Sequence, residues 1–180
     1  MRLIEVEENW SPEMLHDFIE EECQPYLREI DNEPLGNVLY RGIQRREEHD
    51  YLIVNPRQNR RPLGTDEAIH KKFVKAFREL GFEANRDNSL FCTGNQYEAR
   101  QYGLVYAVFP IGKFSYTWSE DVEDLIIVSR EMPKNVKQFV RDNYQDHDLV
   151  SAIESKNEVM LKCERVLLVN LKIMPEIFQG

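Results

Sequence analysis

The stretch SLFCTGNQYEARQYGLVYAVFPIG, residues 89–112, decides the fold class. Its ends, Ser89–Thr93 and Leu104–Gly112, are dense in Leu, Phe, Val and Tyr and read as strands. The segment NQYEARQYG between them, residues 95–103, reads as a short helix. Helices dominate the chain before residue 89 and strands dominate it afterwards, with no repeated βαβ alternation. The plan is α+β.

Toward the N-terminus, Ser11-Pro12-Glu13 reads as a helix start: a serine cap, a proline in the first turn and an acid behind it. Met14, Leu15, Phe18, Ile19 and Cys23 follow at helical spacing as a core-facing stripe, and Pro25 ends or kinks the helix. Residues 38–43 and 51–54 read as strands, and 55–64 as a polar, proline-containing loop. Thr65 is expected to cap a second helix, with Asp66 and Glu67 favourable in its first turn. Ile69, Phe73, Phe77 and Leu80 keep the helical period, and Gly81 stops it. Toward the C-terminus, residues 124–129 read as a strand. Residues 133–144 read as a helix, continued or followed by a second near 148–154. EVMLKC and ERVLLVNLKIM read as final strands.

Within the strand at 38–43, LYRGI places an arginine and a glycine among apolar residues. Strand interiors disfavour Gly, and a buried Arg is costly unless something anionic pairs with it. The pair makes sense if a ligand approaches the backbone at Gly42 while Arg41 meets a negative charge. The alternative is an edge strand with a surface arginine and a bulge.

The 180 residues suggest one domain, 1–180, and 42% hydrophobic content is that of a globular chain. No apolar run approaches membrane-spanning length, and MRLIEVEENW is too acidic and too briefly apolar for a signal peptide, so the expected location is the cytoplasm. Three widely spaced cysteines without a CxxC pair argue against a disulfide framework and against zinc. Four scattered histidines give no metal-ligand pattern, and His70 and His147 read as helix-surface residues. A net charge of −9 disfavours non-specific nucleic-acid binding. The basic stretch with Arg57, Arg60 and Arg61, and the stretch SYTWS with an exposed Trp118, are candidate target contacts. The chain has no Walker loop, GxGxxG, GxSxG or HExxH motif.

Three segments form a pattern in order: Leu39-Tyr40-Arg41-Gly42; then Ser89–Gly94 with Ala99 and Tyr102-Gly103; then Lys156–Leu161 before a Val/Leu-rich final strand. This set resembles the ADP-ribosyltransferase superfamily, in particular the branch whose site is an Arg, a strand Ser/Thr and a late-strand Glu. That branch includes bacterial exotoxins and phage enzymes. The resemblance implies two packed, mostly antiparallel sheets with flanking helices and a helical N-terminal part. It implies NAD as substrate, and transfer of ADP-ribose to a macromolecule, a protein in the first place, by a phage or bacterial effector acting in the cytoplasm of its host. It also implies the roles. Arg41 would hold the NAD pyrophosphate and Gly42 would admit the nicotinamide amide. Glu158 would stabilise the cation-like ribose, and Thr93 would hold Glu158 through its hydroxyl. Tyr40, Phe91 and Tyr102 would line the cofactor, with Tyr97 and Phe114 as further aromatic candidates. No metal is implied. Bland readings stay open: a bulge at Gly42, ordinary strand content at Thr93 and a surface acid at Glu158.

The second motif, usually Phe-x-Ser-Thr-Ser, is Phe91-Cys92-Thr93-Gly94-Asn95 here. The third, usually Glu/Gln-x-Glu, is Lys156-Asn157-Glu158. A lysine repels a guanidinium, so an arginine acceptor is disfavoured, and other acceptors or water remain open. An inactive protein with this fold that binds and inhibits a partner, and an NAD glycohydrolase, are the alternatives.

Overall fold

A computed structural model describes residues 2–4, 10–44, 47–57, 66–124 and 133–179. Among these it has seven helices and six strands, an α+β arrangement.

Helix α1, Pro12–Glu22, starts as its sequence dictates: the Ser11 side chain accepts a hydrogen bond from the Met14 amide, and Pro12 needs no amide partner. Leu15, Ile19 and Cys23 are buried on its inner face, whereas Met14 is 53% exposed and stands outside the stripe assigned to it. Pro25 does not kink α1. It occupies the first turn of a new helix, α2, Gln24–Glu29. Helix α3, Glu67–Glu79, is capped by Asp66 in place of Thr65. The Asp66 carboxylate accepts from the Ala68 and Ile69 amides, and Thr65 lies outside the described residues. Gly81, at φ +88°, follows the end of α3. His70 is buried, against expectation, because it shares the inner face of α3 with Phe73, Val74 and Phe77 at helical spacing.

The strands are β1, Arg2–Ile4; β2, Leu39–Ile43; β3, Tyr51–Asn55; β4, Leu90–Thr93; β5, Leu104–Trp118; and β6, Glu158–Asn170. All described pairings are antiparallel. Among the described residues helices prevail before residue 89 and strands after it, as the sequence suggests. The strands form one hydrogen-bonded network in the order β1-β3-β6-β4-β2-β5, where two packed sheets were expected. A further β5–β6 pairing closes β2, β5, β6 and β4 into a ring.

Two long strands make this closure possible. β5 and β6 pair along nearly their whole length. One edge of β6 is shared between two partners: β4 along Glu158–Leu161 and β3 along Val166–Val169. Midway the β5–β6 register shifts between Ile111 and Phe114, where Gly112 adopts φ +71°. Such a bulge bends and twists the pair. The two final strands read from sequence are one strand, because Glu164 and Arg165 are exposed at this bend without interrupting it. Strand β6 ends at Asn170, and Met174–Phe178 form a helix, α7, in place of the expected strand end. The expected strand at 124–129 lies almost wholly outside the described residues.

The short helices are α4, Gln96–Arg100; α5, Val136–Asn143; and α6, Leu149–Ser155. Alternation along β4 and β6 divides the core. Leu90, Cys92, Val159 and Leu161 join the main cluster beneath α1, α2 and α6. Phe91 and Met160 face a second cluster built from Phe73 and Phe77 of α3, Val140 of α5, Val122 and Tyr144.

Candidate functional site

Three adjacent strands bring the sequence candidates together. Tyr40 of β2 pairs with Thr93 of β4, and Thr93 pairs with Glu158 of β6. Thr93 and Glu158 lie directly opposite one another on the face that carries Phe91 and Met160. Tyr40–Thr93 is the sole register pair between β2 and β4. Beyond it the strands diverge, and the guanidinium of Arg41 bridges the divergence by donating from Nη1 to the Phe91 carbonyl. Arg41 Nε is buried and has no hydrogen-bond partner among the described residues. Burial pushes the Arg41 pKa down. The Cys92 thiol and the Glu158 carboxylate, both close enough to act on it, oppose that shift.

Glu158 is half-buried at the start of β6, and its amide donates to the Glu123 carbonyl at 2.9 Å. Tyr144 and the buried Arg86 stand in the same electrostatic neighbourhood. Burial drives the Tyr144 phenol well above its ordinary pKa, Glu158 and Asp124 reinforce the shift, and Arg86 opposes it. Neither Tyr144 nor Arg86 carries a motif signal.

Thr93 does not hold Glu158 directly. Its hydroxyl donates to the Lys156 carbonyl at 2.7 Å and accepts from the Asn95 amide at 3.0 Å. It ties the turn after β4 to the turn before β6, so its effect on Glu158 passes through backbone. Lys156 ends α6 in the left-handed region at φ 64°, with its side chain exposed.

The glycines have internal reasons. A Cβ on Gly42 would lie 1.9 Å from the Ala99 carbonyl oxygen and 3.0 Å from Tyr102 Cβ, because α4 crosses β2 there. The access that the sequence reading reserved for a ligand is taken up on that face by α4. A Cβ on Gly94 would lie 1.8 Å from the Ile153 carbonyl of α6. Asn95 caps α4, accepting from the Tyr97 amide at 3.0 Å. The Gly-Asn pair thus serves the packing of two helices.

The aromatic candidates divide. Tyr97 and Tyr102 are 70% and 63% exposed at and just after α4, free to meet a ligand. Tyr40 is half-buried against the main core, and Phe91 against the second cluster. Phe114 stacks on Tyr116 and meets Tyr26 edge-on, in the core and away from Glu158 along β6, where it pairs with Cys163. Trp118 is buried, not exposed. The Gln145 backbone extends β5 at its end, and the indole donates to the His147 carbonyl at 2.8 Å. Cys23, Cys92 and Cys163 are buried and none is in a disulfide. The described residues contain no group of three or more His, Cys, Asp or Glu suited to a metal ion, and no helix among them is long and apolar enough to cross a membrane. Arg60 and Arg61 lie outside the described residues.

No family model, no curated protein and no solved structure matches the chain.

Proposed function

We propose that the chain belongs to the ADP-ribosyltransferase superfamily, binds NAD where β2 and β4 diverge, and transfers ADP-ribose to a macromolecular acceptor, a protein in the first place. The observation that carries this reading is the placement of Arg41, Thr93 and Glu158 on three adjacent strands, with Thr93 paired to Glu158 and Arg41, one residue beyond Tyr40, close enough to Glu158 to interact electrostatically. The bent β5–β6 pair, shared between β3 on one side of the bulge and β4 on the other, supports a split, two-sheet reading of the closed network.

The residues present suit the dinucleotide. An arginine stays charged at any working pH and offers donors in a planar fork that matches phosphate. One donor is committed to Phe91, while the buried Nε of Arg41 lacks a partner and would gain one from an anionic oxygen. NAD supplies a glycosidic bond whose cleavage leaves a cation-like ribose carbon. A carboxylate stabilises such a centre when it is fixed beforehand, and Glu158 is held by the pairing of β6 with β4 and by the Glu123 carbonyl. Tyr102, seated beside Gly42 with its ring exposed, supplies an aromatic wall.

A second reading, an inactive relative that binds a partner protein, is favoured by how fully Arg41 and Thr93 are used inside the chain. Hydrolysis of NAD, with water as acceptor, is favoured by the exposed Lys156, which would repel a guanidinium acceptor. Incubating the full chain and a cell lysate with NAD labelled in its ADP-ribose part separates the three. Label on protein supports transfer, and free ADP-ribose supports hydrolysis. Absence of both, with a stable complex on pull-down, supports the binder. Glu158→Gln is expected to lower turnover on the order of 10³-fold; wild-type rates in that variant remove Glu158 from the chemistry.

A further inference from the structure

We propose that Asn157 is the positioning residue of Glu158, acting through a strap formed by residues 119–123. Strand β5 ends at Trp118, opposite Val159, so the amide of Glu158 has no strand to meet on that side. The chain after β5 folds back and supplies the missing acceptor, the Glu123 carbonyl at 2.9 Å. Ser119 is fully buried and preforms this turn, its hydroxyl accepting from the Asp121 and Val122 amides at 3.2 and 3.0 Å. Val122 anchors the strap in the second core cluster.

One side chain stitches the strap to β6. Asn157 Nδ2 donates to the Ser119 carbonyl at 3.0 Å and to the Glu120 carbonyl at 2.8 Å. Two carbonyl acceptors on one atom fix the amide orientation, since only the NH₂ group can face both. On the other flank, Thr93 holds the Lys156 carbonyl, and the Asn157 amide donates to Ser155 Oγ at 3.2 Å. Residues 155–158 are therefore gripped from β4 and from the strap, and Asn157 is the side chain that couples the strap to the residue next to Glu158. No local pattern in the sequence announces this, because the partners lie 37 and 38 residues away.

The inference rests on the reading of Glu158 as the acting carboxylate, and its test separates the two. Asn157→Ala is compared with wild type in three measurements on the full chain: steady-state NAD turnover, the carboxyl titration of Glu158 by ¹³C NMR, and amide hydrogen exchange at Glu158 and Leu167. The expected result is a fall in kcat on the order of 10²-fold with KM little changed. It includes a displaced Glu158 titration midpoint and an exchange rate at Glu158 raised about 10-fold while Leu167 keeps its protection. An unchanged titration and exchange at Glu158 overturn the proposal. So does exchange that accelerates equally at Leu167, which marks general destabilisation. If wild type does not turn NAD over, the functional reading falls, and the titration and exchange alone decide the positioning role. Should Asn157→Ala fail to fold, Asn157→Gln, which keeps the amide but displaces it by one methylene, is expected to move the same readouts in the same direction. Wild-type values for Asn157→Gln overturn the proposal.

Discussion

The two ends of β6 share one strand and one continuous partner, β5, yet they bury different chemistry. At the far end, Val166, Leu167, Leu168 and Val169 are all fully buried, with β3 beside them. A strand covered on both faces reads as an unbroken aliphatic run. At the near end, beside β4, Val159 and Leu161 enter one cluster and Met160 the other, and Glu158 stands half-buried among Arg41, Thr93 and the strap. A polar group can be held in place where the sheet's cover is incomplete. It would carry a large desolvation cost where the cover is complete. The fold thus separates a stabilising end from a polar end along a single element.

The largest expected effect is on the stabilising end. Leu167→Ala is expected to lose about 2–5 kcal/mol in urea unfolding, whereas Glu158→Gln loses about 1 kcal/mol or less. Similar losses in the two variants break the contrast. Alkali sharpens it next. Burial pushes the Cys23 and Cys163 thiols from about 9 to about 12, both in the main cluster. A thiol kept neutral in the fold contributes its full stability below its unfolded pKa and loses it as pH rises toward the folded value. Stability is therefore expected to hold to about pH 9 and then fall, by about 2 kcal/mol per thiol at pH 10.5. Urea midpoints measured at both pH values check this, and Cys163→Ala should remove its own share of the slope. Beside the polar end, on β2, Gly42→Ala places a methyl against the Ala99 carbonyl and is expected to cost about 1–3 kcal/mol as α4 shifts. A melting temperature equal to wild type would show that α4 yields freely. The smallest effect is a gain: Lys156→Gly relieves a left-handed non-glycine and should add about 1 kcal/mol in the same unfolding assay.

Local chemistry made much of this legible. The Ser11 cap, the strand at Leu39–Ile43, the period of α3 and the stop at Gly81 depend on neighbours a few residues apart, and the sequence displays them directly. Arg41, Thr93 and Glu158 stand in the sequence as an ordered set of segments, but the contacts they make cannot be read there. Thr93 meets Lys156, and Gly42 makes room for Ala99, through contacts set by how β2, β4, α4 and α6 pack. Trp118 looked exposed because its cover, Gln145 and His147, arrives from more than 25 residues downstream. His70 looked like surface because its polarity spoke louder than its position on the inner face of α3. The single long β6 is masked in the sequence by Glu164-Arg165, a charged pair that looks like a break and marks a bend.

The indole of Trp118 has a further use. The chain holds two tryptophans. Trp10 stacks on Tyr51 of β3, and Trp118 sits sealed where β5 meets the strap. Each end of the molecule therefore carries its own fluorophore. Replacing Trp10 with Phe leaves an emission signal that reports on the neighbourhood of Glu158 alone, so loosening there can be followed optically and apart from melting of the aliphatic half.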